Sequence, residues 1–279
     1  MTIRVHHLAL VISVVCTAAV APVPVTWVPE RPVQGSLVAI QASSAATGSF
    51  AGEPLHFESI PNGYRAFAAV PLDASESVTG EVVAGGATER VVIAVTRRDA
   101  HNERLRAAER FARPPDSALN VRLERERAQV RVVLAATHER PRLWQEPFLR
   151  PVPGRLLSGY GSSRTFNGRI ESRHRGADFA AAVGDPIKSA NRGVVVIVAH
   201  HYYAGRSVWV DHGAGLLTAY LHMSKTEVAV GDTVGRGQVL GRVGMTGRVT
   251  APHLHWSALY GRVGFDPLDL LGPLVSVRD

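Results

Sequence analysis

The sequence predicts a mainly β protein in three parts: a small N-terminal β-sandwich, an amphipathic helical connector, and a C-terminal antiparallel β-sheet or barrel-like domain. Three observations carry this reading. Short apolar runs alternate with Gly, Pro and Asn turns from Trp27 to about Arg98, and again from Arg155 onward. Between them, one stretch after Pro114-Pro115 has a helical rather than a strand period. The chain's 279 residues, 46% hydrophobic, are enough to bury one large or two modest cores and too apolar for a disordered chain.

Residues 1–21 read as an export signal. Arg4, His6 and His7 come first with no acid, followed by an uncharged run from Leu8 to Ala21 that ends in small residues. Fourteen uncharged residues fall short of the ~20 that span a bilayer as a helix, and Pro22 and Pro24 interrupt any longer one. The alternative is an uncleaved membrane anchor. The expected location is the periplasm or the extracellular cell wall. The single cysteine, Cys16, lies inside this signal, so thiolates are excluded from the mature chain's chemistry.

Residues 27–100 form the predicted sandwich. SLVAIQ (Ser36–Gln41), PLHFES (Pro54–Ser59), YRAFAAV (Tyr64–Val70) and RVVIAVT (Arg90–Thr96) read as strands separated by turn residues. No group of ionisable residues clusters here; His56 stands alone, as a packed or surface histidine, and the part is assigned a positioning or binding role. Residues 101–150 form the connector. Asp116 or Ser117 caps a helix in which Leu119, Leu123, Val130 and Leu134 recur through about Thr137, with salt-bridged charges on other faces. Residues 151–279 return to β pattern, with GVVVIVAH (Gly193–His200), SVWVDHG (Ser207–Gly213), LLTAYLHM (Leu216–Met223) and HLHWSALY (His253–Tyr260) as the clearest strands.

The formal charge is +7, distributed as −2 over residues 1–100, +4 over 101–150 and +5 over 151–279. A basic field of this kind suits a polyanion. No zinc-finger, RNP-like or Walker pattern accompanies it, so no nucleic acid is expected and the anionic cell envelope is the candidate partner.

Of twelve histidines, four form a constellation with one aspartate. His174 and Asp178 are four apart with Gly176 between them; in an extended segment this places both on one face. His253 and His255 also share a strand face, and the alternation puts His222 on the same face as Tyr220. A catalytic zinc takes three nitrogen or oxygen ligands and keeps one position open. His174, Asp178 and one of His253 or His255 meet that demand, and the histidine left over would stand beside the reacting water as acid or base.

These residues belong to an ordered series: SGYG (Ser158–Gly161), SRHRGADFAA with GDPI, RGVV, VDHG, TAYLHMS, VGDTVGRGQVLGRVGMTG, PHLHW and FDPLDLL. Over about 155–272 it closely resembles the lysostaphin/LytM-type zinc metalloendopeptidases that cut the peptide cross-links of bacterial peptidoglycan. The resemblance implies one Zn2+ per chain on His174, Asp178 and His255, with His222 and His253 as exchangeable catalytic histidines and peptidoglycan stem peptides as substrate. Tyr220 and Arg164 are the candidate substrate contacts. The chain departs from the family's FG-x-R pattern, with Ser163 at the arginine position and Arg164 one place later. His212 reads as structural, and His200, His201, Tyr202 and Tyr203 as a loop lining the cleft.

Two rivals were weighed. A homologue without activity would bind the wall or activate other hydrolases, but all five site residues are present. The hairpin text VAVGDTVGRGQVLGRVG also resembles biotinyl/lipoyl carriers, yet neither lysine, Lys188 or Lys225, sits in the required turn.

Overall fold

The computed structural model describes residues 24–275, so the predicted export signal lies outside the described residues. Residues 25–94 hold eight strands: β1 (Val25–Val28), β2 (Leu37–Ala42), β3 (Ala46–Phe50), β4 (Glu53–Pro54), β5 (Glu58–Ile60), β6 (Gly63–Ala69), β7 (Ser77–Ala84) and β8 (Ala87–Ala94). They make two antiparallel sheets, β1-β2-β6-β5 and β4-β3-β7-β8. Strict alternation along β7 and β8 turns Val78, Val82, Val91 and Ile93 inward, against Val38, Ile40 and Phe50. The two strands are joined by Gly85-Gly86, both at positive φ (58° and 83°), which a two-residue type I′ hairpin requires.

The connector holds a strand ahead of the predicted helix. Asn102–Leu105 is a strand, β9, which pairs in parallel with a strand of the C-terminal part. Nothing in Asn-Glu-Arg-Leu favours a strand by propensity; the tertiary pairing imposes it. Helix α1 (Ser117–Ala136) starts where Asp116 accepts a hydrogen bond from the Leu119 N–H at 2.8 Å. It buries only Leu123 and Leu134 and exposes Val121 and Val132, so it is less amphipathic than its spacing suggested. Its polar face carries the Arg122–Glu126, Arg127–Glu124 and Arg131–Glu124 ion pairs.

The C-terminal part continues with β10 (Leu156–Ser158), β11 (Ser163–Phe166), β12 (Ile170–Arg173), β13 (Ala177–Ala180), β14 (Pro186–Lys188), β15 (Gly193–His201), β16 (Gly205–Gly213) and β17 (Leu216–Met223). Then follow β18 (Lys225–Thr226), β19 (Thr233–Val234), β20 (Val239–Arg242), β21 (His253–Tyr260) and β22 (Val263–Phe265). The main sheet runs β10-β13-β21-β17-β16-β15-β19, with β22 on β21. One face packs the core through Phe179, Val208, Val210, Tyr220, Leu254 and Trp256. By the pleat, the other face receives Asp178 from β13 and His253 and His255 from β21.

The two β parts are fastened together. His138 donates to the buried Glu53 carboxylate (3.0 Å), and His56, expected to stand alone, pairs with His138 at 2.9 Å. Arg262 also binds Glu53, Arg98 binds Asp266, and the Leu37 N–H donates to Asp269. Among the described residues, no helix is long and apolar enough to cross a membrane.

Candidate metal and catalytic centre

The site forms where β13 and β21 run side by side, with Asp178 opposite His255 in register. His174 reaches in from the turn between β12 and β13. Gly176 makes this approach possible: a Cβ there would lie 2.5 Å from His255 Nε2 and 2.6 Å from the Trp256 carbonyl. Space, not backbone conformation, fixes glycine at this position.

His174 Nε2, His255 Nδ1 and Asp178 Oδ1 converge, with separations of 3.1, 3.1 and 2.8 Å. All three residues are buried. The outer nitrogens set the tautomers. His174 Nδ1 lies 2.8 Å from the Gly159 carbonyl, and His255 Nε2 lies 2.8 Å from Ser257 Oγ, which itself donates to the Arg175 carbonyl. Those two nitrogens therefore hold the protons, and the two facing inward keep lone pairs. Two lone pairs and a carboxylate oxygen facing one another in a buried place need a shared proton or a cation between them. Tetrahedral bonds of zinc length would set such atoms roughly 3.3 Å apart, close to what is seen. Burial pushes His255 down to about 4, against the pull of Asp178, so the ring is neutral as a ligand must be. Burial opposes ionisation of Asp178, but contact with His174 and His255 outweighs it and holds the carboxyl well below its ordinary value.

Two more histidines look onto the same place. His222 Nδ1 lies 2.8 Å from the Thr246 carbonyl and His253 Nδ1 2.8 Å from the Ala251 carbonyl, leaving both Nε2 atoms to the site. Their rings are 5.1 Å apart, and His253 Nε2 is 3.6 Å from Asp178 Oδ1. Burial first, then the neighbouring His255 and His253, push His222 well below its ordinary value and keep it neutral.

His222 arrives by a route that alternation did not foresee. β17 pairs Tyr220 with Trp256 and Leu221 with His255, so a regular strand would send residue 222 into the core with Tyr220. His222 instead takes φ of 65°, a left-handed conformation rare for a residue with a Cβ, and this turns its ring to the opposite face. Tyr220 is accordingly not a substrate contact. It is fully buried, its hydroxyl accepting from the Ala190 N–H and pairing with Thr218 Oγ1 at 3.0 Å.

Arg164 stands at the cleft but is fully engaged by the chain's own carboxylates. Nη2 donates to Asp178 Oδ2 (2.6 Å) and Ser158 Oγ (2.9 Å), and Nε donates to Glu103 Oε2 (2.8 Å). It holds the Asp178 carboxylate in orientation rather than standing as a free cation. Glu103 comes from β9, and no motif pointed to it. The cleft, of about 340 Å³, is lined on one side by Glu103 and Leu105 of that strand and His101 just before it, and on the other by residues 248–253. His212 is structural as expected: it is fully buried, Nδ1 donates to the Arg192 carbonyl, and Nε2 accepts from Thr218. His200, His201, Tyr202 and Tyr203 do not line the cleft; Tyr202 bonds Glu126 of α1 and the Arg110 carbonyl.

Residues 172–267, which hold His174, Asp178, His222, His253 and His255, match the model of Peptidase family M23. Two relatives from Vibrio cholerae are named peptidoglycan DD-endopeptidases. ShyA is 48% identical over 86 residues, covering 31% of this chain and 20% of that protein; ShyC is 37% identical over 130 residues, covering 45% and 30%. The match thus spans a fifth to a third of the length of these relatives. A crystal structure of a peptidase M23 candidate from Pseudomonas aeruginosa superposes with a TM-score of 0.66 at 27% identity, covering 86% of this chain and 95% of that one.

Proposed function

We propose that the chain is an exported zinc metalloendopeptidase that hydrolyses peptide cross-links of bacterial peptidoglycan, at the bond between two D-residues. The single observation that carries this reading is the joint geometry. Three buried ligand atoms face one another with the two ring protons turned outward, and two further imidazoles aim Nε2 at the same spot. The names of ShyA and ShyC support the substrate and the type of bond. The signal-like text of residues 1–21 supports export.

His174, Asp178 and His255 would hold the zinc, and no cysteine is needed. Bound there, zinc would supply Lewis acidity towards water and towards the scissile carbonyl. The chain's own part is proton handling. His222 or His253 accepts a proton at Nε2, and the ring that has taken one presents Nε2–H as a donor to the carbonyl oxygen or the leaving amine. The backbone carbonyls of Thr246 and Ala251 stabilise both rings in either state, because Nδ1–H donates throughout. Arg164 and Glu103 keep Asp178 from rotating.

The test is digestion of defined peptidoglycans by the purified protein with and without chelator, with new termini read by mass spectrometry and zinc counted by elemental analysis. One zinc per chain and chelator-sensitive new termini at the D,D bond are expected. A zinc-free, inactive protein would sink the reading and favour a wall-binding homologue.

A further inference from the structure

The cleft contains a second guanidinium, and nothing in the catalytic scheme uses it. Arg248 sits on the loop between β20 and β21, the same loop whose Thr246 and Ala251 carbonyls set the two catalytic histidines. Its Cζ lies 4.3 Å from the ring centre of Phe166 and 4.7 Å from that of Tyr203, so aromatic faces hold the group in place. The backbone N–H of Arg248 donates to the Tyr203 carbonyl and anchors the loop at the same point. Among the described residues, no carboxylate forms an ion pair with Arg248. Among the same residues its five guanidinium donors meet no hydrogen-bond acceptor. Burial, together with the charge of Arg164, disfavours its charged form.

The contrast with Arg164 is the argument. Both guanidiniums line one cleft with Asp178, His222 and His253. Arg164 is neutralised by Glu103 and Asp178, whereas Arg248 is partly desolvated, rigidly held and uncompensated. Partly buried arginine without an anion is costly, and a planar fork fixed against rings suits a planar, bidentate anion. We propose that Arg248 is the receptor for a free carboxylate of the peptide substrate, so that the cleft selects stem peptides carrying a carboxylate over those in which it is a carboxamide. The inference rests on the peptidase reading above and adds a specificity-determining residue to it.

The experiment compares one cross-linked stem-peptide dimer in two forms, with free carboxylates and with carboxamides, using the zinc-loaded full chain. Wild type favours the carboxylate form by about tenfold or more in kcat/KM, mainly through KM. Arg248→Met keeps the contact with the two rings but lacks the charge, and brings the ratio close to one by losing only the carboxylate form. Arg248→Lys restores part of the preference. Equal rates on both forms by wild type, or an unchanged ratio in Arg248→Met, overturn the proposal. An equal loss on both forms shows a purely structural role and overturns it as well. Calorimetric binding of the uncross-linked stem peptide to chelator-treated protein supplies a reading independent of turnover. Binding that Arg248→Met weakens about tenfold upholds the receptor even if no bond is cut, which would tell against the peptidase reading alone. Binding indifferent to the substitution overturns the receptor.

Discussion

Ser257→Ala tests whether the tautomer of His255 is what readies the site for a metal. Ser257 Oγ is the acceptor 2.8 Å from His255 Nε2, and its own proton is committed to the Arg175 carbonyl at 2.8 Å. With the hydroxyl removed, a metal on Nδ1 still forces the proton onto Nε2, where the buried N–H has lost its partner. An unsatisfied buried donor costs ~1–3 kcal/mol. The metal-free variant escapes part of that cost, because the proton can move to Nδ1, 2.8 Å from Asp178 Oδ1. The difference falls on the bound state alone and weakens zinc by about tenfold to a hundredfold. Competition against a chromophoric chelator measures it, and Ser257→Thr, which retains the hydroxyl, restores most of the affinity. Thermal midpoints of the metal-free proteins should differ little. An affinity for Ser257→Ala within about threefold of wild type would falsify the tautomer argument, since the outer hydrogen bond would then not be coupled to the inner nitrogen.

Three further outcomes follow from the same geometry. His255→Ala removes an inward donor outright and abolishes both zinc retention on dialysis and cleavage; cleavage surviving in that variant would mean the ligand set is wrong. Gly176→Ala drives a methyl to 2.5 Å from His255 Nε2 and 2.7 Å from its Cε1, and the ring must move. Zinc stoichiometry after gel filtration should fall further than in Ser257→Ala, with an overpacking cost of about 1–3 kcal/mol in the unfolding midpoint. The pH dependence of stability should lose one component in His212→Asn. Burial pushes His212 down to about 4, so between pH 6.5 and 4 the unfolded chain binds its proton first and stability falls as pH falls. The full loss is about 3 kcal/mol at one pKa unit per ~1.4 kcal/mol. Asp269, raised by burial to about 6, acts in the opposite direction over much of that range. The quantity to measure is therefore the difference between wild type and variant by denaturant unfolding at several pH values, and parallel curves would refute the assignment.

The convergence of His174, Asp178 and a histidine of β21 was legible in the sequence for a physical reason, and the choice of His255 came with the family resemblance. His174 and Asp178 are four apart and His253 and His255 two apart, where spacing and face are tied together; the structure then opposes Asp178 to His255 across β13 and β21. Ser257 stands two residues beyond His255 on the same face, but a lone serine carries no signal of its own there. The fold class was legible from alternation, and the start of α1 from the cap at Asp116. Two kinds of information were not. One is conformation off the regular pattern. Alternation placed His222 beside Tyr220, and only the positive φ at 222 sends one ring to the cleft and leaves the other in the core. The other is long-range pairing: Glu103 meets Arg164 across 61 positions of sequence, through a strand that has no strand signal of its own.

The loop between β20 and β21 shows why such features cluster at the site. Its contribution to the histidines is made by backbone carbonyls, at Thr246 and Ala251, which no side-chain pattern records. The Thr246 hydroxyl in turn accepts from the Arg206 N–H and donates to the Met223 carbonyl, so the loop is pinned to β16 and β17 next to the strained His222. Strain at 222 persists only where surrounding bonds over-determine it, and these bonds do so. The same short segment thus fixes both imidazole tautomers and presents Arg248. A displacement of the loop would act on proton transfer and on the charged wall of the cleft together. Substitutions at Thr246 should therefore lower turnover of both carboxylate and carboxamide substrates and blunt discrimination between them, while changes confined to Arg248 cost only the carboxylate form.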